Sequence, residues 1–333
     1  MRAPDFWNSP RQKPGFLPIL LTPLAKIWQS ISTRKMAAGA WGKMSVPVIC
    51  VGNINVGGTG KTPTVIAIQA FLAQKGLSAH IVSRGFGGSE IGPLRVDERL
   101  HTTTQVGDEP LLASAFGPVW VAKNRAAGAK QAIKNGADLI LLDDGFQNPS
   151  IFKDLSIVVV DAQIGFGNGR VMPAGPLRET LKSGLLRADL IVSIGNSNAQ
   201  KTMSETWPEI TGLPHVKAEL QALETGMDWH GLRVIAFAGI GRPAKFFDTL
   251  KAQGAEIIAT HEFADHAEYS DAVLQRLRAE AQKNRCQLVT TEKDAIRLPK
   301  YFRPEVLTLP VRLHFDNPAI LHDRLQGLFA NKP

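Results

Sequence analysis

A glycine-rich hexapeptide, Gly57-Gly-Thr-Gly-Lys-Thr62, constrains this chain more than any other feature. The apolar run before it, Val46–Val51, reads as a buried strand, and the stretch after it, Thr64–Gln74, reads as a helix. Strand, glycine loop and helix N-terminus together make a phosphate cradle, because backbone N–H groups and the helix dipole point at one anion. The candidate nucleotide contacts are Asn55, Val56, Gly57, Gly58, Thr59, Gly60, Lys61 and Thr62. Lys61 is expected to reach the β/γ-phosphates, and Thr62 to offer its hydroxyl to Mg²⁺. Pro63 fits the first helical turn, where a missing N–H costs nothing. In the G-x-x-x-x-G-K-[ST] pattern the first position falls on Asn55, a residue that tolerates left-handed backbone. A dinucleotide fold is disfavoured, since Gly58-Thr-Gly60 has Pro63 where a third glycine would be needed.

Strand and helix signals alternate beyond the loop. Strands are expected at 78–83, 119–122, 138–144, 155–161 and 189–194, with a helix at 125–135. Runs of leucine and β-branched residues suit a parallel sheet buried on both faces. The pattern weakens after 196. A second set follows, with strands at 233–240, 255–260 and 287–291 and helices at 244–253 and 271–284; Val306–Phe315 reads as one longer strand. The expected fold is therefore α/β: a P-loop-containing, Rossmann-like three-layer sandwich with a second, smaller α/β lobe and an N-terminal amphipathic helix. The expected divisions are a basic segment 1–46, a phosphate-loop core 47–212, a linker 213–230, the smaller lobe 231–305, and a return strand and helix 306–333.

The net charge of +8 is concentrated at one end. Residues 1–46 hold Arg2, Arg11, Lys13, Lys26, Arg34, Lys35 and Lys43 against Asp5 alone. Leu20, Leu24, Ile27, Trp28 and Ile31 recur there at helical spacing. The run is too short and proline-broken to span a bilayer, and it has no clear signal-peptide cleavage site. A basic, tryptophan-bearing amphipathic helix suits an anionic membrane surface; the plainer alternative is a helix packed on the main domain. No recognition motif supports nucleic acid. Cys50 and Cys286 have no metal-like spacing and read as buried thiols.

Several motifs carry possible chemistry. Asp143-Asp144 end an apolar run, and carboxylates at a strand tip beside a phosphate loop commonly hold Mg²⁺. Asp108 and Glu109 lie in the loop Val106–Pro110, where acids often serve only as turn formers. In Pro173–Glu179, Arg178 could stabilise a transferring phosphoryl group and Glu179 could join the metal shell. Arg84 and Arg125 follow strands and are plausible anion contacts. In Asp265-His266 a carboxylate could orient an imidazole as proton acceptor. Thr290-Thr-Glu-Lys-Asp294 follows a second-lobe strand and has no role that residue chemistry alone assigns.

Taken together, these motifs resemble the tetraacyldisaccharide 4′-kinase family, the lipid A 4′-kinases of Gram-negative bacteria. The resemblance rests on Gly57–Pro63, Ser83-Arg-Gly, Val106–Pro110, Asp143-Asp-Gly-Phe-Gln147, Pro173–Glu179, Ala236–Ile240, Asp265-His266 and Thr290–Asp294, in family order. It implies transfer of phosphate from ATP to the 4′-hydroxyl of a tetraacyldisaccharide 1-phosphate, giving lipid IVA. It also implies a peripheral enzyme on the cytoplasmic face of the inner membrane, with two Rossmann-like lobes joined by a small β linker. Carried onto this sequence, Asp108 and His266 would deprotonate the acceptor. Lys61 and Thr62 would hold the ATP phosphates and Mg²⁺. Asp143, Asp144 and Glu179 would form the acidic metal environment. Arg84, Arg125, Gln147 and Arg178 would be phosphoryl or acceptor contacts. No obligate protein partner is implied. The chain departs from the family at Asn148, where histidine is usual, and at Phe86, where tyrosine is usual.

Two other function classes fit less well. A switch ATPase of the deviant Walker type would carry a lysine where this chain has Val56, and a GTPase would show an Asn-Lys-x-Asp motif, which is absent. A lipid-binding protein that merely retains a nucleotide site would not need Lys61, Thr62, Asp143 and Asp144 intact.

Overall fold

The computed structural model describes residues 4–330; residues 1–3, with Arg2 of the basic segment, and 331–333 lie outside them. In chain order the strands are β1 (Val48–Gly52), β2 (Ala79–Ser83), β3 (Leu94–Arg95), β4 (Val119–Val121), β5 (Leu139–Asp143), β6 (Leu155–Asp161) and β7 (Leu190–Ile194). They continue with β8 (His215–Ala222), β9 (Arg233–Ala238), β10 (Glu256–Glu262), β11 (Gln287–Thr291), β12 (Val306–Leu309) and β13 (Val311–Phe315). Among the described residues they form two sheets, of order β13-β8-β7-β6-β1-β5-β2-β4-β3 and β10-β9-β11-β12. The second sheet is wholly parallel. The first is parallel except at its edges, where β3 runs against β4 and β13 against β8.

Every residue of β1, β2, β5, β6 and β7 is buried. Their side chains alternate between two cores, as the period-2 geometry of a strand demands. Ile49 and Val51 face Val65, Ile68 and Leu72 of the helix Lys61–Gln74. Val48 and Cys50 face the side that holds Ala129 and Ala132 of the helix Arg125–Lys134. The smaller sheet repeats the arrangement: Val234 and Ala236 pack with Phe246 and Leu250, while Ile235 and Phe237 pack with Leu274 and Leu277. Each lobe is thus a three-layer sandwich, and the fold is mixed α/β.

Two sequence expectations need correction. Val306–Phe315 is two strands, not one. Pro310 has no N–H for a ladder, so the strand ends there. Before it, β12 completes the small sheet beside β11; after it, β13 pairs antiparallel with β8. The 213–230 linker is also structured over its first half, because β8 extends the large sheet beside β7 (Ile191↔His215). Its half-exposed alternation disguises it as a connection. The chain leaves the large sheet at Ala222 and returns at Val311, and these two residues are register partners.

The N-terminal segment forms short helices at Phe16–Leu20 and Thr22–Ala37. Ala25 reaches the core, whereas Leu20, Leu24, Ile27, Trp28 and Ile31 are 45–60% exposed. Most of this apolar face therefore stays exposed, with Trp28 Nε1 reaching the body at the Arg178 carbonyl. No helix among the described residues is long and apolar enough to cross a membrane.

The two surfaces differ sharply in their sensitivity to truncation. Ile49→Ala, at a fully buried position, is expected to cost about 2–5 kcal/mol. Ile27→Ala, on the exposed face, is expected to stay within about 0.5 kcal/mol. Urea midpoints at constant slope measure both.

Candidate active site

A cleft of about 2250 Å³ separates the lobes, and the glycine loop forms its floor. The loop is shaped by Gly57 at φ +105° and Gly60 at φ +94°, conformations that favour glycine. At Gly60 a side chain would also meet Ile194 Cδ1 at 2.4 Å. Gly60 is the helix N-cap, so the helix starts at Lys61, three residues earlier than the sequence pattern indicates. Asn53 Nδ2 donates to the Gly57 carbonyl and to Thr59 Oγ1, each at 3.2 Å, and braces the loop from below. Residues 56–62 line the cleft. Asn55 does not: its buried side chain donates to the Gly165 carbonyl at 3.0 Å, so it anchors the loop instead.

The acidic pair stands across from the loop. Asp143 ends β5, beside β1 (Val51↔Asp143). Asp144 turns out of the strand at φ +51°. Burial pushes the Asp143 carboxyl well above the usual carboxylate range; Glu109 adds to this and Lys61 opposes it. Its Oδ1 is buried without a hydrogen-bond partner. A buried carboxylate short of a cation is the donor that a hard metal ion would complete. Asp144 behaves oppositely. Burial would raise it, but Lys61 (3.8 Å) and the two-pronged contact from Arg178 (2.8 and 3.2 Å) hold it below the ordinary range.

The remaining sequence candidates divide. Arg178 also donates to Gln147 Oε1 at 3.2 Å, and Gln147 donates to the Asn53 carbonyl at 2.9 Å, so both frame the loop and the acidic pair. Arg125 is buried and donates to the Asp144 carbonyl at 2.8 Å, bracing the backbone of the acidic turn. Arg84 is exposed on the cleft wall. Glu179 is not brought to the aspartates: Arg187 holds both its oxygens at 2.5 Å, Gln147 donates to it, and it does not line the cleft. Arg187 balances the charge of this carboxylate. Asn148 accepts from the Ser150 N–H at 2.9 Å and shapes a turn.

Asp108 and His266, 158 positions apart, meet across the lobes with Oδ2 and Nδ1 at 2.8 Å. Asp108 opens the short helix Asp108–Ala113 and is buried. His266 follows β10 in a loop where it adopts φ +61°. Burial would raise the Asp108 carboxyl, but the His266 hydrogen bond, Lys293 and Arg297 leave it lowered. The hydrogen bond to Asp108 raises His266 above the ordinary histidine value against burial and Lys293. Phe86 meets the imidazole edge-on at 5.9 Å between centroids.

Sequence reasoning missed some residues of the site. Asn53 is one. Another set bridges the lobes on the far side of the loop: Asp161, ending β6, takes Lys245 Nζ at 2.8 Å and also pairs with Arg242. Two cations share that carboxylate, and burial lowers Lys245 to about 8. Lys293 also lies in the cleft, from the motif to which residue chemistry assigns no role, with its Nζ 3.2 Å from Glu109.

The sequence profile of the family described as Tetraacyldisaccharide-1-P 4'-kinase (LpxK) matches residues 17–330. The "Tetraacyldisaccharide 4'-kinase" of Dinoroseobacter shibae is 54% identical, over 99% of this chain and 98% of the relative. That of Jannaschia sp. is 52% identical, over 95% and 96%. Among solved structures, LpxK from Aquifex aeolicus in complex with ATP superposes with a TM-score of 0.76 at 27% identity, covering 94% of this chain and all of that one.

Asp108→Asn keeps the size of the side chain and removes the anion that raises His266. The His266 ring should then titrate at lower pH than in the wild type, because burial and Lys293 remain. NMR titration of the ring carbons against a His266→Gln control measures the shift.

Proposed function

The chain belongs to the tetraacyldisaccharide-1-P 4'-kinase family, and from that premise we propose that it transfers phosphate from ATP to the 4′-hydroxyl of a tetraacyldisaccharide 1-phosphate in lipid A biosynthesis. The observation that carries this reading is the meeting of the glycine loop, the acidic pair and the Asp108–His266 pair around one cleft. A switch ATPase has no need of a paired imidazole and carboxylate facing its phosphate site.

Phosphoryl transfer depends mainly on positioning and on stabilising charge. The loop N–H groups and Lys61 would hold the β- and γ-phosphates. Thr62, Asp143 and Asp144 would hold Mg²⁺, and the unpartnered Asp143 oxygen supports that fit. When bound, the ion would neutralise charge on the phosphate oxygens. Glu179 is left to Arg187. With its Nδ1 proton donated to Asp108, His266 presents Nε2 as the acceptor for the sugar hydroxyl proton. The sugar oxygen then bonds to the γ-phosphorus, the bond from that phosphorus to the β,γ-bridging oxygen breaks, and ADP leaves. Asp108 stabilises the imidazolium that forms. Arg178 sits where it can meet the transferring group.

The acceptor is a lipid, so the cleft must approach a bilayer. The exposed apolar face of the N-terminal helices supports peripheral attachment at the cytoplasmic face of the inner membrane. Lys26, Arg34 and Lys35 add cationic charge for anionic headgroups. Trp28 Nε1 donates to the Arg178 carbonyl at 3.1 Å, which ties that face to the site.

Purified protein given γ-labelled ATP, Mg²⁺ and tetraacyldisaccharide 1-phosphate in micelles should label the lipid. Lys61→Ala should abolish labelling, and His266→Ala should lower turnover by roughly 10²–10⁴-fold. Because His266 must be neutral, kcat/KM should fall with decreasing pH through a value above the ordinary histidine pKa. ATP hydrolysis without labelled lipid would instead support a switch ATPase. Separately, Ile27→Asp with Ile31→Asp should weaken sedimentation with anionic vesicles and leave ATP binding intact; unchanged sedimentation would remove the helix from the membrane assignment.

A further inference from the structure

Thr290-Thr-Glu-Lys-Asp294, which the sequence leaves without a role, lies where the two lobes touch. Its three charged residues point in three directions. Glu292 accepts from Arg312 of β13 at 2.7 and 3.1 Å, which fastens the motif to the strand leading back to the large sheet. Asp294 is fully buried; it accepts from the Gly239 N–H at 2.9 Å, Tyr269 OH at 2.6 Å and Arg297 at 2.6 Å. Arg297 in turn donates to the carbonyls of Gly239 (2.8 Å) and Ala267 (3.1 Å), and the His266 N–H also donates to Gly239 (3.2 Å). The left-handed backbone at His266 is therefore held from both sides by this strut.

Lys293 reaches across to the first lobe. Its Nζ is 3.2 Å from Glu109, 3.8 Å from Asp108 Oδ2 and 3.8 Å from Asp265. Asp265 itself is 3.7 Å from His266 Nε2, and Arg297 Nε is 3.8 Å from Asp108. Three carboxylates thus surround the Lys293 ammonium, and two of them, Asp108 and Asp265, also flank the His266 imidazole, with Arg297 as the second cation. Without an ammonium at their centre, the carboxylates would repel one another and would stabilise a protonated imidazole. An imidazolium cannot accept a proton from a sugar hydroxyl.

We propose that Lys293 is the positioning residue of the Asp108–His266 pair: it joins Asp108 and Glu109 of one lobe to Asp265 and His266 of the other, and opposes proton uptake by the imidazole. Lys293 touches no reacting atom in this role. The role in turnover rests on the kinase reading above, whereas the electrostatic role does not.

The test combines NMR titration of His266 with the pH profile of kcat/KM in Lys293→Met and Lys293→Arg. Lys293→Met should move the His266 titration upward by about one pH unit. The acid limb of kcat/KM should follow it, and turnover at pH 7 should fall by up to about 10-fold. Lys293→Arg should restore most of both. A merely structural lysine would lower activity without moving either curve, and unmoved curves would overturn the proposal. If Lys293→Met does not fold, Lys293→Gln carries the same expectations. A shifted His266 titration in a protein that labels no lipid would leave the electrostatic role standing and sink the kinase reading alone.

Discussion

Parallel strands all end in one direction, and this single constraint places the chemistry of the molecule. The residues just beyond the C-terminal ends of the strands are the ones that line the cleft. Beyond β1 comes the glycine loop, beyond β2 Arg84, and beyond β4 Arg125; β5 and β6 end in Asp143 and Asp161. The smaller sheet obeys the same rule: Arg242 follows β9, His266 follows β10 and Lys293 follows β11. Two sheets with their ends turned toward one another make a site whose halves come from different lobes. Neither lobe alone contains both the phosphate cradle and the Asp108–His266 pair.

Charge inside the cleft is divided by function. Some cations are committed to the protein: Arg125 to the carbonyls of the acidic turn, Arg187 to Glu179, and Arg297 to the His266 loop. These contacts use up donors on backbone oxygens and buried carboxylates, which holds the functional turns still. Lys61 is different, since its nearest carboxylate is 3.8 Å away. Asp143 has the opposite lack, a buried oxygen with nothing donating to it. The floor of the cleft is thus a place where one anion and one cation would each improve the electrostatics.

Much of this was legible in the sequence, for physical reasons. The buried parallel strands announce themselves because both faces are apolar, and the glycine loop because few other sequences adopt that backbone. What escaped was set by partners distant along the chain. Glu179 looks like a metal ligand until Arg187 is seen folded back onto it. Val306–Phe315 looks continuous because Pro310 is flanked by apolar residues that serve two different sheets. β8 was hidden because it is only partly buried near the edge of its sheet. Asp108 and His266 are each unremarkable alone, and only family resemblance joined them before the fold did. Lys293 lies in a motif that the sequence singles out, but two of its three carboxylate neighbours, Asp108 and Glu109, precede it by more than 180 positions.

The register pair Ala222↔Val311 has a consequence for how the molecule was assembled and how it bends. Everything from 223 to 310 departs and returns at adjacent points of one antiparallel ribbon, with Leu223 N–H donating to the Pro310 carbonyl at 2.9 Å. The smaller lobe is therefore an insertion into a loop of the larger one, and the larger lobe closes on itself without it. An inserted domain whose ends already lie side by side adds little loop-closure entropy to the host. It also swings differently from a lobe on a slack tether. Two paired strands resist shear along the ladder and yield most readily to twist and bend, so such a mounting favours one arc and returns the same two edges to the same alignment on each stroke.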